Sequence, residues 1–152
     1  MKEGRIISIY CKPHDTKYWY DIDNRLRDIG YFIEIQRRGR GIMRISSEES
    51  IIYVLRRNKD TDEIKYKCSI KDTLIEAEES DPYEHNHDDS YSFPYFFRAD
   101  FIEAYEDGCF PLKKLRELNL VNNHYQLNGD KISPALYDYI ESNKKVDNKF
   151  RL

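Results

Sequence analysis

Four arginines fall close together at Arg37, Arg38, Arg40 and Arg44, with Gly39 and Gly41 between them. Guanidinium groups pair bidentately with phosphate and stack on planar rings, and glycines let a backbone come close to a ligand. This residue set suits an anionic polymer, and each phosphate contact adds a salt-dependent increment to affinity. The competing reading is a solvated loop neutralised by acids of the same molecule. Rings that could hold a base are Tyr18, Trp19, Tyr20 and Phe32. Stacking contributes about 1–3 kcal/mol per base, enough to offset a base extrusion costing a few kcal/mol. Core packing competes here too. Trp19, Ile22, Leu26 and Ile29 follow helical spacing, which turns Trp19 inward and leaves at least one of Tyr18 and Tyr20 exposed.

Other candidate chemistry is thinner. Glu84-His-Asn-His-Asp-Asp89 places His85 and His87 two residues apart beside Asp88, a set that could hold a divalent ion but reads better as a solvated loop. Cys11, Cys68 and Cys109 are widely spaced, odd in number and without a CxxC, so neither a disulfide framework nor a zinc knuckle is expected. Each suits the core as a small hydrophobe. His14 and His124 stand alone in sequence, and no GxSxG, Walker loop, HExxH or GxGxxG occurs. An enzyme is therefore not expected, and neither is a cofactor or a bound metal.

Charge is distributed unevenly. The net charge is −3, which excludes a generally basic coat. Between Gln36 and Lys59, however, seven cations face only Glu48 and Glu49, while between Asp72 and Asp107 twelve acids face Arg98 alone. The acidic stretch could itself dock a basic partner. Aromatic residues make up 14% of the 152-residue chain, and 13 of them are Tyr, a side chain suited to core edges and ligand contacts alike. An AT-rich coding sequence accounts as readily for most of that excess. Met1 to Arg5 lead straight into an apolar run with no cleavage-site pattern, and no stretch approaches the ~20 apolar residues of a membrane span. A cytoplasmic location is expected, with no membrane partner.

Those candidates need elements to position them. Arg5–Cys11 reads as a first strand in the sheet centre. Asp15 or Thr16 caps a helix that runs to about Asp28 and stops at Gly30. Tyr31–Gln36 and Ile42–Ile45 are extended, and Ile51–Leu55 is the strongest strand signal. Residues 57–62 form a hairpin loop. Glu63–Lys71 alternates, with Ile64, Tyr66, Cys68 and Ile70 inward and Lys65, Lys67, Ser69 and Lys71 outward, as a half-exposed antiparallel strand does. Ala77–Ser92 is an acidic loop, and Phe93–Phe101 alternates again. Pro111 opens a helix with Leu112, Leu115 and Leu118 inward, and Ser133-Pro134 opens another with Leu136, Tyr139 and Ile140 inward. One domain over residues 1–142 is expected, followed by a polar, frayed C-terminal tail over 143–152. The class is α+β: a small curved, antiparallel or mixed β-barrel flanked by short helices, since closure hides sheet edges.

Ser50-Ile-Ile-Tyr-Val-Leu-Arg-Arg57 followed by Glu63-Ile-Lys-Tyr-Lys-Cys68 resembles the strand–loop–strand region of EVE-type domains, members of the PUA-like superfamily related to YTH domains. Pro111–Leu120, then Gln126, Ile132 and Leu136-Tyr-Asp-Tyr-Ile140, resembles their leucine helix, turn, short strand and closing helix. The likeness runs from Met43 to Glu141. It departs at Glu49-Ser50, where the family usually has Gly-Asp, and at Tyr31 and Phe32, where a Trp is typical. The resemblance implies a small barrel without cofactor that binds nucleic acid, DNA favoured over RNA. It also implies a modified base held in an aromatic pocket, in a restriction or defence system alongside an effector such as a nuclease subunit. Arg37, Arg38, Arg40 and Arg44 would then hold phosphates, and Tyr18, Trp19, Tyr20 and Phe32 the base. A protein-interaction module using residues 72–107 and an unrecognised hydrolase are the rival expectations.

Overall fold

Short β-branched and aromatic runs with turn residues between them build a sheet, and the sheet is what the rest of this chain packs on. The computed structural model describes residues 4–11, 19–35, 50–58, 61–75, 83–85, 96–124 and 127–150. In chain order these form β1 (Arg5–Tyr10), β2 (Trp19–Tyr20), α1 (Ile22–Ile29), β3 (Tyr31–Ile35), β4 (Ile51–Arg57), β5 (Asp62–Ile75), β6 (Glu84–His85), β7 (Phe96–Ala104), α2 (Leu112–Glu117) and α3 (Pro134–Asn143), then a 3₁₀ turn over Asn148–Phe150. The main sheet has the order β1-β4-β5-β7-β3, and β2 and β6 form a separate two-stranded ribbon. β1 runs parallel to β4, and the other pairs are antiparallel. The sheet curls into a half-barrel, so the fold is α+β with a mixed sheet and short helices.

Each face of the sheet carries its own core. Ile7, Ile9, Ile52, Val54, Tyr66, Cys68, Ile70, Phe97 and Ala99 pack under Ile22 and Leu26 of α1. Ile6, Tyr53, Leu55 and Ile64 pack on the opposite face under Leu112 and Leu115 of α2 and Leu136 and Ile140 of α3. Ile64 and Tyr66 alternate in phase in the sequence, yet they lie on different faces. Val54 opposes Tyr66 while Leu55 opposes Ile64, so Lys65 is the extra residue of a bulge, and one extra residue reverses which side chains point where. Ile102 plays the same part in β7, between Phe101 opposite Cys68 and Glu103 opposite Lys67, and it projects outward at 45% exposure.

Several expected elements shift for identifiable reasons. β1 is at a sheet edge, not the centre. Its residues are buried because residues 127–132 run beside it: Ile6 donates to the Asp130 carbonyl (2.8 Å), Gly129 to that of Ile6 (2.7 Å), and Ile132 to that of Gly4 (3.1 Å). A Cβ on Gly4 would lie 2.7 Å from Ile132 Cδ1 and 2.8 Å from the Ile51 carbonyl, so this close approach requires glycine. α1 begins at Ile22, with the Asp21 side chain accepting from Asn24, because Trp19 and Tyr20 pair with β6 instead of extending the helix. The Asp15 and Thr16 caps lie outside the described residues, as do the extended Ile42–Ile45 and the acidic 77–82 and 86–92. Gly30 closes α1 at φ 77°, as expected. Ile29, in the last turn beside that cap, is 43% exposed, and the buried stripe is Ile22, Arg25 and Leu26. Leu118 follows α2 and is 41% exposed, because the six-residue helix ends before it completes a third apolar position. Ser133 caps α3 through Leu136 and Pro134 occupies its first turn, as the sequence predicts.

The largest correction concerns β5 and residues 143–150. Lys65 and Lys67 are buried, not solvent-facing, because β5 is the middle strand and later segments cover it. Lys67 meets Glu141 of α3 at 2.8 Å, and Lys65 meets Asp107 at 2.9 Å and Asp147 at 3.4 Å. Residues 144–150 are docked, not frayed. Glu106 donates to the Lys145 carbonyl (2.8 Å), Asp147 to that of Ala104 (2.8 Å), and Phe150 is 5% exposed in the first core.

Candidate nucleic-acid interface

Strand registers fix where the predicted site residues begin and end. β4 runs towards Arg57, and β1 runs with it towards Tyr10; β5 and β3 run the opposite way, and β7 returns. Ser50, Ile35, Ile75 and Phe96 therefore mark one end of the half-barrel, and Tyr10, Arg57, Asp62 and Tyr31 the other. Arg37, Arg38, Arg40 and Arg44 lie outside the described residues, in the connection from Ile35 to Ser50, whose two flanks share the first end. Tyr18 also lies outside them. Trp19 sits on β2, off the helix it was expected to join. Tyr20 is partly buried against the first core. Phe32 is 0% exposed and meets Phe97 edge-on, ring centroids 6.3 Å apart, so it is a core residue and not a face for a base. The structure thus brings Tyr20 and Phe32 to one core and removes Phe32 from the predicted set.

The far end carries a polar knot beneath α1. Arg56 on β4 grips Asp23 of α1 with Nε at 3.0 and 2.9 Å from its two oxygens and a terminal nitrogen at 2.8 Å. The buried Tyr66 hydroxyl donates to the same carboxylate. Burial first and the Asp23 charge second push the Tyr66 phenol well above its ordinary range, so it stays a neutral donor. Cys11 lies in the same shell, and burial, then Asp23, push its thiol up to about 12. Cys68 is also raised by burial. Neither is a thiolate nucleophile near neutral pH. Cys109 is partly buried, and His124 is exposed, its carbonyl accepting from Arg116.

A second assembly stacks cations and rings in alternation. The Arg98 guanidinium lies 3.9 Å from the centroid of Tyr31, and that of Arg25 lies 5.1 Å from the same ring. Arg25 also lies 5.9 Å from Tyr83 and donates to the Tyr31 carbonyl at 3.0 Å. Tyr83 donates to Asp28 at 2.9 Å, and its carbonyl accepts from Asp21 at 2.7 Å, which fixes the ribbon strand β6 against α1. Sequence reasoning missed this column. Arg25, three residues after Ile22, was the available signal: an arginine on the apolar stripe of a helix must find partners.

Several acids of the folded body are engaged internally. Asp62 holds Arg57 at 3.2 Å, Asp100 holds Arg98 at 2.7 Å, and Lys144 joins Glu103 (3.1 Å) to Glu141 (2.9 Å). Burial alone would raise the Glu141 carboxyl, but hydrogen bonds from Lys67 and Lys144 outweigh it and hold the group below the usual carboxylate range. Among the described residues no three His, Cys, Asp or Glu side chains are grouped to hold a metal ion, and no helix is long and apolar enough to cross a membrane. His85 lies on β6 and His87 outside the described residues. A hollow of about 630 Å³ opens between Thr61-Asp62 and the start of α2, and Tyr20 and Phe32 are not among the described residues that line it. Compared with models of protein families, with curated protein sequences and with solved structures, the chain matches none.

Proposed function

We propose that this chain is a nucleic-acid-binding module, an EVE-type reader of the PUA-like kind. Its phosphate contacts come from Arg37, Arg38, Arg40 and Arg44. Its ring contacts come from the segment ending in Trp19 and Tyr20, with Tyr18 alongside and Phe32 left to the core. DNA is the favoured polymer. A modified base is the favoured target and an effector such as a nuclease subunit the favoured partner, in the defence setting that the resemblance implies.

The observation that supports this over acidic docking is the internal pairing of the acids. Asp100, Glu103 and Asp107, the described acids of the 72–107 stretch with cation partners, serve Arg98, Lys144 and Lys65. Asp100 and Glu103 are thereby engaged within the fold, while Asp107 keeps an exposed side chain. The arginines belong to one connection whose two flanks are fixed at a single end of the sheet, an arrangement that limits where a polyanion can lie.

The test is fluorescence anisotropy with plain and modified, single- and double-stranded oligonucleotides at two salt concentrations. Exchanging Arg37 and Arg38 together for Glu should lower affinity more than about tenfold and reduce the salt slope by about two. An absence of oligonucleotide binding by the native chain at the lower salt would end the proposal.

A further inference from the structure

We infer that Phe150 is a built-in plug: its ring fills a slot between α1, β5 and β7 that can receive a planar aromatic ring carrying an anionic group, and ligand entry displaces residues 147–150. This rests on the nucleic-acid reading and adds to it a ring site distinct from the Trp19–Tyr20 segment.

The slot has the composition of a stacking site. The Phe150 ring meets Tyr66 edge-on at 5.3 Å and lies tilted by 31° against Phe101 at 6.1 Å. The Arg27 guanidinium covers it at 4.9 Å, and the Lys65 ammonium stands 5.9 Å from its centroid. The Lys65 ammonium is spent on the Tyr105 carbonyl, Asp107 and Asp147, whereas the Arg27 guanidinium pairs with no acid among the described residues. A guanidinium over an exposed ring is a weak attraction, and the same group can also bind an anion carried by the ring. Arg27 is exposed on α1 and also donates to the Asn24 side chain at 3.1 Å. One exposed guanidinium, two ring walls and a flat occupant suit a mononucleotide unit.

The holding segment is suited to release. Apart from Phe150, residues 148–150 are exposed, and the 3₁₀ turn is closed by a long 3.4 Å hydrogen bond from Phe150 to the Asp147 carbonyl. Asp147 is the hinge point. Its backbone donates to Ala104, one carboxylate oxygen accepts from the Lys149 amide at 3.0 Å, and the other meets Lys65. Lys65 is therefore shared between latch and slot. Elements stabilised by a single turn and a few polar contacts open at low free-energy cost.

The experiment is hydrogen–deuterium exchange on the native chain with and without adenosine monophosphate, with adenine and inorganic phosphate as separate arms. Adenosine monophosphate should speed exchange of the amides of residues 147–150 at least about tenfold, as a ligand selecting the open state does. Adenine should do so less, and phosphate alone should not. Asp147→Asn loosens the latch without hollowing the core, so it should tighten adenosine monophosphate binding about fivefold by raising the competent fraction. Unchanged or slowed exchange at 147–150, an equal response to phosphate alone, or an unchanged affinity in Asp147→Asn would overturn the plug. Oligonucleotide binding that depends on Arg37 and Arg38 but leaves 147–150 protected would remove the plug and keep the reader. Nucleotide-driven release of 147–150 without oligonucleotide binding would do the reverse.

Discussion

The two faces of the sheet solve burial differently. The face under α2 and α3 is covered by aliphatic side chains that interdigitate with Leu55, Ile64 and Phe110. The face under α1 is covered by an eight-residue helix that buries only Ile22, Arg25 and Leu26, and it depends on Asp23, Arg56 and Phe150 to complete its roof. A lid of two helices with several aliphatic anchors is strong; a lid of one short helix, an ion pair and a single turn is weaker and can be rearranged. The contrast makes the second face the steadier one, and the proposed ring site belongs to the first.

The largest expected effect tests the inert face. Leu136 of α3 is fully buried, and Leu136→Ala should cost about 3 kcal/mol of unfolding free energy, within the usual 2–5 for such deletions. Urea denaturation measures it. Oligonucleotide affinity of the folded fraction should not change, and a parallel loss of affinity would break the division between the faces. Next, Asp23→Ala strands the Arg56 guanidinium and the buried Tyr66 hydroxyl together and should cost about 2 kcal/mol. Tyr66→Phe in the same background should recover part of that loss. Additive losses would show that the knot does not act as a unit.

How far the sequence reveals this arrangement depends on the range over which each signal acts. The strands at Ile51–Arg57 and Tyr31–Ile35, the Gly30 stop and the Ser133-Pro134 start are local, and they are legible. The two core layers are not, because the bulges at Lys65 and Ile102 are properties of pairing between distant strands. The burial of Lys65 and Lys67 is hidden for a related reason: their cover comes from Asp147 and Glu141, far along the chain. β1 could not be told from a central strand, since an edge covered by residues 127–132 is as apolar as an interior one. Of the candidate site, the ring and arginine types were readable. Phe32 was misassigned because alternation within β3 does not say which alternate position meets Phe97. Phe150 sits in a polar stretch whose composition reads as solvated.

A smaller effect separates the faces by pH. Glu141 is held below its ordinary value of 4.5 by Lys67 and Lys144 against the cost of burial. A depressed carboxyl stabilises the fold above its unfolded pKa, and that contribution disappears as pH falls through the folded value. The urea midpoint should therefore fall as pH drops from 6 to below about 4.5, and Glu141→Gln should flatten part of that slope. Hydrogen exchange at α3 should follow the same pH dependence more closely than exchange at α1. A slope unaltered in the variant would show that other carboxylates carry it.

The smallest expected effect is the most diagnostic of how the second face is built. Tyr53 is fully buried there, and its hydroxyl has no hydrogen-bond partner among the described residues. Burial, with Glu141 and Tyr137 adding to it, drives its phenol far above the ordinary range, so the group stays a neutral dipole. A hydroxyl desolvated without a partner costs free energy that its ring must offset. Tyr53→Phe removes the dipole and keeps the ring, so unfolding free energy should hold or rise by up to about 1 kcal/mol. Tyr66→Phe removes a hydroxyl of the same kind that donates to Asp23, and should lose about 1 kcal/mol. Opposite signs for one chemical change on two faces of one sheet would locate the polar work on the α1 side. A loss at Tyr53 equal to that at Tyr66 would mean that both faces depend on buried hydrogen bonds, and the division between an inert lid and a working one would fall.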